Sequence, residues 1–87
     1  MVSQKVTVIN PSGLHARPAG ELVKVCTKCN SEVAIKVGER VINPKSILVL
    51  MSAAIRCGTE IEVECTGETE KEDMELIINA IASGLGE

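Results

Sequence analysis

The chain contains no phenylalanine, tyrosine or tryptophan. A core must therefore be assembled from Val, Ile, Leu, Met, Ala and Cys, and no aromatic platform exists on which nucleic-acid bases could stack. Positive charge is also in short supply: nine Lys and Arg against twelve Asp and Glu leave a net charge of −3. That balance argues against a surface built to hold a nucleic-acid backbone. Long apolar runs are missing; none approaches the ~20 residues that span a bilayer. Residues 1–10 carry Ser3, Gln4 and Lys5 and lack the apolar block of a signal peptide. The expectation is a cytoplasmic chain with no membrane insertion and mostly reduced thiols. Histidine occurs once, as His15.

What remains is a short, aliphatic chain. Its 87 residues, 45% of them hydrophobic, suit one domain over 1–87 with a modest core. Lys5 to Ile9 reads as a strand, and Asn10-Pro11-Ser12-Gly13 as the turn that ends it. Ala16, Ala19, Leu22, Val23 and Cys26 recur at three- and four-residue spacings, which predicts one helical stripe, with Pro18 in the first turn. Glu32–Val37 alternates, Gly38-Glu39 turns, and Arg40–Ile42 returns as a hairpin. Ser46 caps a short helix from Ile47 to about Ala54, with Leu50 and Ala54 facing the sheet. Glu60–Cys65 alternates with one wet face. Thr69 and Glu72 form a capping box before a last helix with Met74, Ile77, Ile78, Ile81 and Leu85 on its apolar stripe. The order β-α-β-β-α-β-α predicts an α+β fold in two layers. Its form is an open-faced β-sandwich: a four-stranded, mostly antiparallel sheet with three helices on one face.

The run Pro11-Ser12-Gly13-Leu14-His15-Ala16-Arg17-Pro18-Ala19-Gly20 carries the chemistry. It places His15 at or beside the N-cap of the first long helix. There the unpaired backbone N–H groups, such as that of Ala16, and the positive pole of the helix favour a bound phosphoryl group. Arg17 adds a planar donor fork for the same oxygens. Taken by itself, a single histidine at a helix start reads as an ordinary surface residue. One histidine without a second or a carboxylate pair is a poor metal ligand set, and no cofactor is called for.

Gly13-Leu14-His15-Ala16-Arg17-Pro18-Ala19 resembles the active-site signature of the HPr family, the histidine-containing phosphocarriers of the phosphoenolpyruvate-dependent sugar phosphotransferase system. Lys45-Ser46-Ile47 with Met51-Ser52 resembles that family's regulatory serine segment, and the resemblance extends over essentially the whole chain. It implies a carrier rather than a turnover enzyme. Such a carrier takes a phosphoryl group from enzyme I onto Nδ1 of His15 and passes it to a histidine of IIA domains of sugar transporters. It also implies Ser46 as a regulatory phosphorylation site, with a serine kinase/phosphorylase and a catabolite-control transcription factor as further partners. The alternative is an HPr-like regulatory module acting in carbon-source signalling by protein binding. Regulators of that kind replace the histidine, and His15 is present here.

Both sets of partners would have to share one small surface. Gly20, Lys24, Ile47, Leu48 and Met51 are the candidate docking residues: a gap in the helix surface, a cation and an apolar patch. Arg17, Lys24 and Lys45 together would make a basic rim in an acidic protein. Gly20, Pro44, Leu48-Val49 and Arg56 depart from the usual family pattern and bear on partner preference. The four cysteines include Cys26-Thr27-Lys28-Cys29 at the end of a helix, the wrong end for a redox motif. Buried, reduced thiols are the expectation, in preference to a zinc set.

Overall fold

A computed structural model describes residues 1–86 of the chain. The elements are β1 (Val2–Thr7), α1 (Ala16–Lys28), β2 (Glu32–Val37), β3 (Arg40–Ile42), α2 (Ile47–Ser52), β4 (Glu60–Thr66) and α3 (Glu70–Ala82). The four strands form one sheet in the order β1-β4-β2-β3, and every pairing is antiparallel. β1 and β2 therefore run parallel on either side of β4. The β1-α1-β2 and β3-α2-β4 connections each skip one strand and interlock. This is the α+β open-faced sandwich expected from the sequence.

Alternation decides which face of the sheet is covered. Ile35 on β2 and Ile61, Val63 and Cys65 on β4 are buried beneath the helices, joined by Leu22 and Cys26 of α1, Leu50 of α2 and Ile77 and Ile81 of α3. The opposite face is wet: Lys5 pairs in register with Glu62, and the Lys36 ammonium lies 3.0 Å from Glu64.

Several boundaries shift from the expectation. β1 starts at Val2 and stops at Thr7, because past that point Val8 pairs outside the ladder, donating to Thr59 O at 2.9 Å. α2 ends at Ser52, with Ala53 as its C-cap and Ala54 in the left-handed region at φ 53°. The buried residue at that end is thus Ala53, and Ala54 is exposed. Ala16 is exposed too and does not belong to the buried stripe of α1.

The capping box does not form: Thr69 makes no side-chain bond to the backbone of α3. Its hydroxyl donates instead to Asp73 Oδ2 at 2.8 Å. The same oxygen accepts from Ser31 N at 3.0 Å and Ser31 Oγ at 2.6 Å. Asp73 is therefore a buried staple between the start of β2 and the first turn of α3. These hydrogen bonds, Ser31 foremost, hold its carboxyl below the ordinary carboxylate range.

Candidate functional site

The 8–14 loop leaves β1 and the 53–59 loop enters β4 at one end of the sheet, and they are fastened to each other. Val8 N donates to Thr59 O at 2.9 Å, Gly58 N to Val8 O at 2.7 Å and Leu14 N to Ile55 O at 2.8 Å. Gly13 has φ 63°, and a Cβ there would run into Ile55 O and sit 2.8 Å from Arg56 Cα. Only glycine lets the two backbones meet so closely. Buried Asn10 closes the turn by donating to Gly13 O, and the fully buried Leu14 anchors the loop to the core.

That anchoring delivers His15 to the N-cap of α1, with extended backbone at φ −137° and ψ 156°. Its imidazole makes no capping bond and, among the described residues, has no hydrogen-bond partner. Exposed and unengaged, the ring is free to react. Ala16 follows at φ 50°, a left-handed conformation that costs a non-glycine residue roughly 1–2 kcal/mol. Arg17 is exposed, and its guanidinium is uncommitted. His15, Ala16 and Arg17 thus sit together at the start of a 13-residue helix whose first N–H groups need partners.

Ser46 is the N-cap of α2; its hydroxyl accepts from Val49 N at 3.4 Å. It stands at the end of α2 that faces the C-terminus of α1, where Lys45 Nζ reaches Cys29 O at 3.4 Å and Ser31 O at 3.1 Å. The other end of α2 leads to Ile55 and the His15 loop. The serine and the histidine are therefore bridged by the exposed side of α2 and are not neighbours. Lys45 is bound to two carbonyls, so the basic rim expected of Arg17, Lys24 and Lys45 loses that member. Lys24 stays exposed with a loose ion pair to Glu21 at 3.5 Å.

Leu48 is 76% exposed and Ile47 38%, and Met51 is half-buried against the core. Val49, noted in the sequence only as a departure from the family pattern and not among the docking residues, is 45% exposed and completes the patch. A six-residue helix that buries only Leu50 must show its other side chains outward, and that was the available signal. At Gly20 nothing lies within 4 Å of a would-be Cβ, so the surface there is open.

Cys26, Cys29 and Cys65 are buried and free, and Cys57 is exposed beside Ile9. Burial, with help from neighbouring thiols, pushes the Cys26 thiol up to about 12 and that of Cys65 to about 11. Among the described residues no group of three or more His, Cys, Asp or Glu is arranged to hold a metal ion. No helix among them is long and apolar enough to cross a membrane.

An open-faced sandwich that holds an unengaged histidine and an arginine at a helix N-terminus belongs to the class of phosphoryl-carrying domains. Residues 2–83 match the family model described as the PTS HPr component phosphorylation site. The phosphocarrier protein HPr of Lysinibacillus sphaericus is 38% identical over 77 residues, covering 88% of each chain. The HPr-like protein Crh of Bacillus subtilis is 41% identical over 75 residues, covering 86% of this chain and 88% of Crh. The crystal structure of HPr-C-His from Thermoanaerobacter tengcongensis superposes with a TM-score of 0.95 at 30% identity, over 100% of this chain and 98% of that one. The chain belongs to the HPr family of phosphocarrier proteins of the phosphotransferase system.

Proposed function

We propose that this protein is a cytoplasmic shuttle that takes a phosphoryl group from a phosphohistidine of enzyme I onto His15 and hands it to a histidine of a IIA domain. In each transfer the phosphorus–nitrogen bond of the donor ring breaks as the bond to the acceptor ring forms. The donor ring takes up a proton and the acceptor ring gives one up, so no cofactor enters. The observation that carries the reading is the unengaged His15 ring at the N-cap of α1, beside an uncommitted Arg17. The N–H of Ala16 and the Arg17 fork would hold the phosphoryl oxygens. Gly20, Lys24, Ile47, Leu48, Met51 and Val49 would form the docking face for both partners in turn.

Ser46 is the regulatory site of this reading. A phosphate at the α2 N-cap adds about two negative charges to the end of the apolar patch remote from His15. It would act on docking and leave the His15 chemistry untouched. The 41% identity with the HPr-like protein Crh supports a second reading, a regulatory module that works by protein binding. Reconstitution separates the two. With phosphoenolpyruvate and enzyme I, label should reach a IIA domain only when this protein is present. A relay that runs equally well without it would leave the regulatory reading standing.

A further inference from the structure

Arg56 is the one other arginine fastened to the His15 loop. Its Cα would lie 2.8 Å from a Cβ on Gly13, its carbonyl accepts from Thr59 N at 3.1 Å, and the preceding Ile55 carbonyl accepts from Leu14 N at 2.8 Å. Gly13 and His15 are two residues apart, at most about 7 Å along the chain. An extended arginine spans a similar length. The Arg56 side chain is exposed, and among the described residues its guanidinium has no hydrogen bond or ion pair.

Apart from Arg17, the other cations named near the docking face carry contacts. Arg40 Nη2 donates to Ala53 O at 2.9 Å, Lys45 Nζ to Cys29 O and Ser31 O, and Lys24 pairs with Glu21. The 8–14 and 53–59 loops contain no acidic residue that could claim Arg56. Charge supplies the reason for a second guanidinium. A phosphoryl group carries about −1.5 to −2 charges. The pole of α1 contributes roughly half a positive charge and Arg17 one, which leaves up to about half a charge unbalanced when the group is fully ionised.

Building on the carrier reading, we infer that Arg56 is a second phosphoryl-binding residue, reaching the group carried by His15 from the 53–59 loop. It contacts the bound phosphoryl group and takes no part in docking.

The first arm of the test needs no enzyme I; the second measures the KM of each variant for enzyme I. Phosphoramidate phosphorylates an exposed histidine directly: its phosphorus–nitrogen bond breaks, the ring nitrogen gains the phosphoryl group, and the ring proton leaves with the ammonia released. The phosphorylated wild type, Arg56→Ala, Arg56→Lys and Lys5→Ala are then titrated by 31P NMR, with thermal melts to confirm folding. Arg56→Ala should weaken the acidity of the phosphoryl group by about threefold or more, with the melt unchanged. Arg56→Lys should restore most of the shift. Lys5→Ala, which removes a charge on the far side of the sheet, should titrate as wild type. Two outcomes overturn the inference. One is Arg56→Ala titrating as wild type. The other is a change confined to the KM for enzyme I, which would make Arg56 a partner contact. Failure of enzyme I to phosphorylate the wild type would sink the carrier reading and leave the titration to judge Arg56.

Discussion

On the carrier reading, the presentation of His15 is prepared by residues that would never touch a phosphoryl group. Gly13 is the sharpest case, since a side chain there collides with the backbone of Ile55 and Arg56. Gly13→Ala should lower stability by well over 1 kcal/mol and move the His15 loop, measurable by thermal melt and by the His15 ring NMR signals. The turn was legible in Asn10-Pro11-Ser12-Gly13, but the loop it presses against, 42 residues downstream from Gly13 at Ile55, was not. Local sequence announces a turn and is silent about a distant backbone that meets it. The thiols sort equally sharply. Cys26, Cys29 and Cys65 lie inside and Cys57 outside. A thiol reagent applied to the native protein should label Cys57 rapidly, and the other three only after denaturant is added.

At the scale of elements, the helices differ in what they are for. α1 is a platform with a gap at Gly20, where there is room for a methyl group and no positive φ to require glycine. Gly20→Ala should therefore raise stability by roughly 0.5–1 kcal/mol in a denaturant titration. Any loss of transfer in that variant would mark the gap as a docking contact. α2 is short and leaves three apolar side chains, Ile47, Leu48 and Val49, exposed. Leu48→Ser should change stability by less than about 0.5 kcal/mol, because Leu48 is 76% exposed. Its effect should appear as a raised KM for phosphorylated enzyme I. Alternation made β2 and β4 legible, down to the buried set Ile61, Val63 and Cys65. The N-terminus of α3 was misread because Thr69 had a better partner than its own helix in Asp73, and that carboxylate was committed to Ser31 across the chain.

For the molecule as a whole, Asp73 ties the end of the β1-α1-β2 crossover to the C-terminal helix, by holding Ser31 at the start of β2 onto α3. Its carboxyl is a stronger acid in the folded protein than in the unfolded chain, so the unfolded chain binds the proton first as pH falls. The stabilisation is therefore complete above the ordinary carboxylate value of 3.8 and is lost as pH drops below it. Asp73→Asn should cost about 2 kcal/mol at pH 7. The gap between variant and wild type in urea melts should then close below pH 4. The buried thiols act in the other direction. Raised from 9.0, Cys26 and Cys65 favour the folded state below that value, and stability declines as pH climbs from 9 toward 12. Element order and the sheet's wet face could be read from the chain. The placement of Ser46 at the far end of α2 from His15 could not, since it depends on how α1 and α2 pack. The most direct measurement is the intact mass of the protein after incubation with phosphoenolpyruvate and enzyme I. One acid-labile phosphoryl group should appear on the wild type and none on His15→Ala. An unmodified wild type in the presence of active enzyme I, or a His15→Ala variant that still gains the group, would contradict it.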